Sequence, residues 1–219
     1  CGRARIIRHQ IRTRRPRESK PTLRTLALLR RPMISLRPPS PERIAEILRD
    51  LTRAEFSYPE VGATRAELPD GYNIDRHSAV IGHGDACFES AMASILASAP
   101  FDLPWVENFP ESEPRVGAMT AVVARVFGAW WINVSRVVYL IDEPDAFGFA
   151  YGTLPVHAES GEELFLVERS SKSDEVHYRL LAFSRPRHPL ARLGAPFSRG
   201  AQHRFAVGSI EAMRRAASS

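Results

Sequence analysis

The chain has little of what most quickly assigns a function. Of its 219 residues only two are cysteine, Cys1 and Cys87. Cys1 sits in a basic terminal segment and Cys87 in a run with helical spacing, so no structural disulfide is expected and nothing points to an oxidising compartment. No stretch approaches the ~18 to 20 apolar residues that a membrane-crossing helix needs, and the expected location is the cytoplasm. A glycine-rich phosphate loop, His-Glu-x-x-His, Cys-x-x-Cys and a nucleophile elbow are all missing, which removes the common nucleotide, zinc, redox and serine-hydrolase signatures. Nothing in the sequence calls for a cofactor. No internal repeat is present, so a solenoid or propeller is excluded.

What is present is unevenly distributed. The sequence pI of 9.7 suggests a basic protein. Yet residues 1–32 hold eleven Lys or Arg against one acid, Glu18, while the remainder carries nineteen basic and twenty-four acidic residues. The basic charge belongs to the tail, and the mildly acidic remainder is not expected to bind nucleic acid. The tail has dense arginine, three prolines and little apolar periodicity, the composition of a segment disordered in isolation. Its preferred reading is sequence upstream of a true start at Met33, which opens a sensible domain. The alternatives are an electrostatic arm for nucleic acid or anionic lipid, an Arg-rich presequence, or a lipoprotein-like terminal cysteine that nothing else supports.

From Met33 the patterning changes. Ser40-Pro41 reads as an N-cap with proline at the first helical position, and Ile44, Ile47, Leu48 and Leu51 then share one face of a short helix ending near Ala54. Residues 57–71 read as a connector and 71–82 as a strand. Asp85 is expected to cap a helix carrying Phe88, Ala91, Met92, Ile95 and Leu96. GAMTAVVARVF and WWINVSRVVYLI read as a hairpin turning at Gly128-Ala129, with a further turn at residues 142–145. Phe147, Phe149 and Tyr151 then share one strand face, and Gly148, Ala150 and Gly152 the other. Leu164 and Leu166 oppose Phe165 and Val167, and a polar turn at 170–174 leads into a last strand, EVHYRLLAF. From His188 the period becomes helical, with Leu190, Leu193, Phe197, Ala201, Phe205 and Met213 in one stripe that Pro196 kinks or restarts.

This order implies an α+β fold, a curved antiparallel sheet wrapped around a long C-terminal helix, with a short N-terminal helix. The aromatic face of 147–151 is expected to point at that helix. The segmentation is a tail at 1–32, a helix and connector at 33–70, and the main domain at 71–216.

Several stretches, GYNIDRH, DLPWV, RVVYLIDEP, FGFAYGTLPVHAESGEE, FSRPRHPLARLG and RF…SIEAMRR, resemble the DUF1990 family, also called UPF0548. The resemblance runs in order from Gly71 to Ala216. That family is similar in layout to the START-like, Bet v 1-like superfamily, whose helix-grip fold encloses an apolar cavity. It has no established biochemical role, so the resemblance implies a fold and carries over no catalytic residues.

The candidate chemistry is sparse. His157 lies in the long connector Gly152–Gly161 with Glu159, Glu162 and Glu163 near it, so His157 and Glu162 are weak acid–base candidates, set against a merely solvated loop. Such a connector exceeds what a strand reversal needs and is expected to form the rim of a cavity mouth. Asp75, Arg76, His77, His83 and Asp85 form a second polar group, but their spacing points to different faces and no metal site is expected. Arg76 is read as an anion anchor or an ordinary surface ion pair. Arg136 interrupts an apolar strand and must meet an acid or a cavity if buried. Trp105, Trp130 and Trp131 either line a pocket or pack the core. Cys87 is read as an inert buried thiol.

Three functions follow. The first is a binding domain for a small apolar or lipid-like molecule held between sheet and C-terminal helix, with Arg76, Trp105, Arg136, Phe147, Phe149, Tyr151 and His157 around it. The second is an enzyme using the same pocket. The third is a membrane-surface protein directed by the arginine tail. The sequence sets no oligomeric state.

Overall fold

The computed structural model describes residues 33–187 and 195–218. The basic tail lies outside these residues, as do Leu190 and Leu193 of the expected terminal stripe, and the side chain of Phe197 is not described.

Among the described residues, alternation of apolar and polar side chains builds eight strands into one antiparallel sheet. They are β1 (Met33–Ser35), β2 (Asn73–His83), β3 (Val106–Pro110), β4 (Met119–Val126), β5 (Ala129–Glu143), β6 (Ala146–Thr153), β7 (Glu159–Arg169) and β8 (Glu175–Pro186). The order across the sheet is β2-β8-β7-β6-β5-β4-β3, and β1 adds to β5 beyond the end of β6, with Ile34 opposite Trp131. Among the described residues three α-helices complete the fold: α1 (Pro41–Leu51), α2 (Gly84–Leu96) and α3 (Ala195–Ala217).

The sheet is covered on both faces. Helices α2 and α3 pack on the inner face, where Phe149, Phe165, Val167, Tyr178 and Leu180 meet Phe88, Ile95, Ala206 and Met213. This is the helix-grip arrangement expected from the element order, and Phe149 and Tyr151 face it as the alternation required. Helix α1 packs on the outer face. Ser40 Oγ accepts from the Arg43 amide at 3.3 Å and Pro41 begins the helix. Ile44, Ile47, Leu48 and Leu51 are then buried against Met119, Ala121, Val123, Ile132 and Val134. Each such aliphatic side chain contributes about 1.5–3 kcal/mol over leaving it in water.

Local geometry departs from the expectations at three places. The β4–β5 turn is Phe127-Gly128, with φ of 52° and 77°, one residue earlier than expected, because a two-residue hairpin turn needs two left-handed residues. Gly84 at φ 82° reverses the chain straight from β2 into α2. His83 therefore holds the N-cap position without a side-chain bond, and Asp85 falls in the first turn, where it pairs with Arg169 of β7 instead of capping. Pro196 fits one of its two expected roles, a restart: it lies in the first turn of α3, where a missing N–H is harmless. Finally, the β5–β6 register shifts between Val137 and Tyr139. This bulge sends Val137 to the inner core and Tyr139 to the outer face.

Candidate functional site

A cavity of about 570 Å³ lies between the inner face of the sheet and α3. Its walls change character along its length. One end is formed by Trp105, Val106, Val122, Ala124, Val126 and Trp131, with Phe101, Phe165, Leu180 and Phe205 along the middle. The other end gathers Asp75, His157, Glu159, Glu163, Ser184 and Gln202.

Strand register explains the polar end. Asp75 of β2 pairs with Ala182 of β8, Ala182 with Glu163 of β7, and Glu163 with Tyr151 of β6. One row thus carries two carboxylates separated by a methyl group. Glu159 stands on the same β7 face as Glu163, with Gly161 between them. A Cβ at Gly161 would come within 1.9 Å of the Phe183 carbonyl oxygen, so only glycine permits this close approach of β7 to β8. The acids therefore surround positions with almost no side chain.

The electrostatics follow from that placement. Burial, with the charge of Asp75 adding to it, pushes the Glu159 and Glu163 carboxyls up to about 7. Arg199 of α3 reaches Asp75 at 3.6 Å from an exposed position. His157 is held down to about 4, mainly by burial and further by the Arg187 charge. Its Nδ1 accepts the Glu159 amide at 3.0 Å, so the neutral ring carries its proton on Nε2. Gln202 Nε2 donates to Ser184 Oγ at 3.2 Å, and the His77 ring lies 5.7 Å from that of His203.

The expected site residues divide between the two faces. Trp105, Tyr151 and His157 line the cavity. Phe149 is fully buried beside Tyr151 at 4.7 Å between ring centroids, and Phe147 packs at the margin of the same core, so neither reaches the cavity. Arg76 is exposed on the face opposite Asp75 and His77, as an intervening strand residue must be. Arg136 is likewise on the outer face, where its partner is neither an acid nor a cavity. Its Nη1 donates to the Ala54 carbonyl at 2.8 Å and its Nη2 to the Leu51 and Thr52 carbonyls at 3.0 Å, closing the end of α1. Glu162 is an outer-face residue too. Its buried carboxylate accepts from Tyr58 Oη and the Gly62 amide at 2.7 Å, the Thr64 amide at 3.0 Å and the Thr64 hydroxyl. Trp131 lines the cavity while Trp130 packs on the α1 side.

The connector is shorter than expected, because β6 continues to Thr153 and β7 begins at Glu159. Leu154 and Val156 are buried in the α1 cluster, so the segment is an anchored strap with His157 presented to the cavity. His83 and Asp85 lie at the far end of β2 from Asp75, which separates the second polar group. Cys87 sits where a Cβ on Gly82 would meet its sulfur at 2.4 Å, and burial raises its thiol. Glu163 and Asp75 carried a signal that sequence reasoning left unused: both lie on the inward alternation of their strands.

Residues 57–212 match the family model described as "Domain of unknown function (DUF1990)". A UPF0548 protein of Deinococcus radiodurans is 37% identical over 199 residues, spanning 84% of this chain and 99% of the relative. One from Dictyostelium discoideum is 31% identical over 209 residues, spanning 85% and 97%. Among solved structures, a hypothetical protein of Helicobacter pylori aligns with TM-score 0.49 and 11% identity over 71% of this chain and 94% of that one. The Zhui aromatase/cyclase of a Streptomyces species aligns with TM-score 0.47 and 14% identity over 67% and 94%.

Proposed function

The chain belongs to the DUF1990 family, and from that premise we propose that it binds a small molecule with an apolar body and a hydroxyl- or amine-bearing head in the cavity between sheet and α3. The observation that carries the reading is the cavity of about 570 Å³ whose apolar walls end in a carboxylate row. Ligand pockets of roughly 300–1,000 Å³ are mostly apolar, with a few placed polar groups that fix orientation. Glu159 and Glu163 accept N–H or O–H donors from such a head, and the Nε2–H of His157 supplies a donor to its oxygen.

A second reading is an enzyme in the same pocket. A carboxyl poised at about 7 exchanges protons near neutrality, which favours Glu159 or Glu163 as the acid–base group. The Glu162 carboxylate is already engaged by Tyr58, Gly62 and Thr64 on the other face.

Native mass spectrometry of gently purified protein tests the binding reading. An adduct of small-molecule mass is expected, together with thermal shifts for amphiphiles whose head carries a donor. Protein that is empty in repeated preparations, and shifts with no member of a lipid and metabolite panel, would overturn it.

A further inference from the structure

The apolar end of the cavity reaches the surface beside an unusual tip. Ile34 and Phe127 both line the cavity and are 39% and 75% exposed, and Leu36, just past β1, is 85% exposed. These are three of the few large apolar side chains so exposed among the described residues. They are neighbours by construction: β1 runs along β5 with Ser35 opposite Trp130, which brings Leu36 to the turn that carries Phe127.

The surroundings of the tip are cationic. Arg37 follows Leu36 and is exposed, and Arg125 precedes the turn, 5.9 Å from the centre of the Trp130 ring. The Arg125 amide donates to the Trp105 carbonyl at 2.8 Å, and Arg204 of α3 lies 4.8 Å over the Trp105 ring on the cavity rim. One exposed acid, Glu107, stands on the neighbouring strand.

We infer that the tip formed by Leu36, Phe127 and Ile34 docks on an anionic lipid bilayer, with Arg37, Arg125 and Arg204 against the headgroups. Apolar side chains ringed by arginine are the composition that partitions to a charged interface. A second copy of this chain is a poorer fit, because the rim would set arginine against arginine. The inference stands whatever the cavity holds.

Co-sedimentation of the full chain with vesicles tests it, using phosphatidylcholine alone and phosphatidylcholine containing phosphatidylserine. Binding is expected only with phosphatidylserine and weakens as salt rises. The double substitution Phe127→Asn and Leu36→Asn is expected to weaken it about tenfold or more. It should leave the thermal midpoint unchanged or raised, since asparagine tolerates the φ of 52° at position 127 better than phenylalanine does. Three results would overturn the docking surface. One is an absence of binding by the unaltered chain. Another is equal binding by the double variant, which would place the affinity outside the tip. The last is a change in sedimentation mass with the variant and no vesicle binding, which would make the tip a contact between copies.

Discussion

At the scale of single residues, the informative groups are Glu159 and Glu163. Both have folded-state values of about 7 against 4.5 for an ordinary glutamate. The native state therefore holds protons that the unfolded chain has released between those limits, and stability falls as pH rises from about 4.5 to about 7. His157 acts in the opposite sense. Its value is lowered to about 4, so its contribution grows as pH rises from about 4 to 6.5. Replacing both acids, Glu159→Gln with Glu163→Gln, should leave the thermal midpoint near that of the parent at pH 4.5 and raise it above the parent at pH 8. Differential scanning calorimetry at the two pH values reads this directly. A midpoint difference that does not change with pH would show that these carboxyls are not held protonated.

At the scale of elements, Arg136 ties α1 to the sheet. Three backbone carbonyls at the end of that helix converge on one guanidinium. Arg136→Ala should destabilise the protein by about 2–3 kcal/mol by leaving those acceptors without their charged donor, and Arg136→Lys should restore only part of it, because an ammonium lacks the planar fork. Urea titration of the three proteins measures the difference. The elements themselves were legible from sequence wherever the signal was local: the Ser40-Pro41 start of α1, the alternation 147–151, the polar turn at 170–174. Arg136 was legible only as a problem, since its solution lies on a helix docked from far along the chain. Glu162 misled for a related reason. It stands next to glutamates that face the cavity, yet strand alternation turns it the other way, onto the connector of residues 58–64.

At the scale of the whole molecule, the proposed function rests on the space between sheet and α3. Ala182 sits between Asp75 and Glu163, so Ala182→Leu places three more carbons between the two acids at the polar end of the cavity. The variant should fold with its midpoint unchanged or raised, as cavity filling commonly does, while thermal shifts from head-bearing amphiphiles disappear. A variant that keeps those shifts would move the head of the ligand away from the acids. The fold class was readable from pattern. The carboxylate row was not, because it exists only once β2, β8 and β7 are paired in register.

That pairing also shapes how the chain must assemble. Asn73 of β2 meets Ser184 of β8, about a hundred residues further along. During synthesis β2 therefore waits as an open edge until almost the entire sheet has left the ribosome, and late closure of so distant a partner makes folding slow. Through that interval the nascent chain exposes an unpaired strand beside an unfinished core, the state in which β-rich proteins depend most on chaperones.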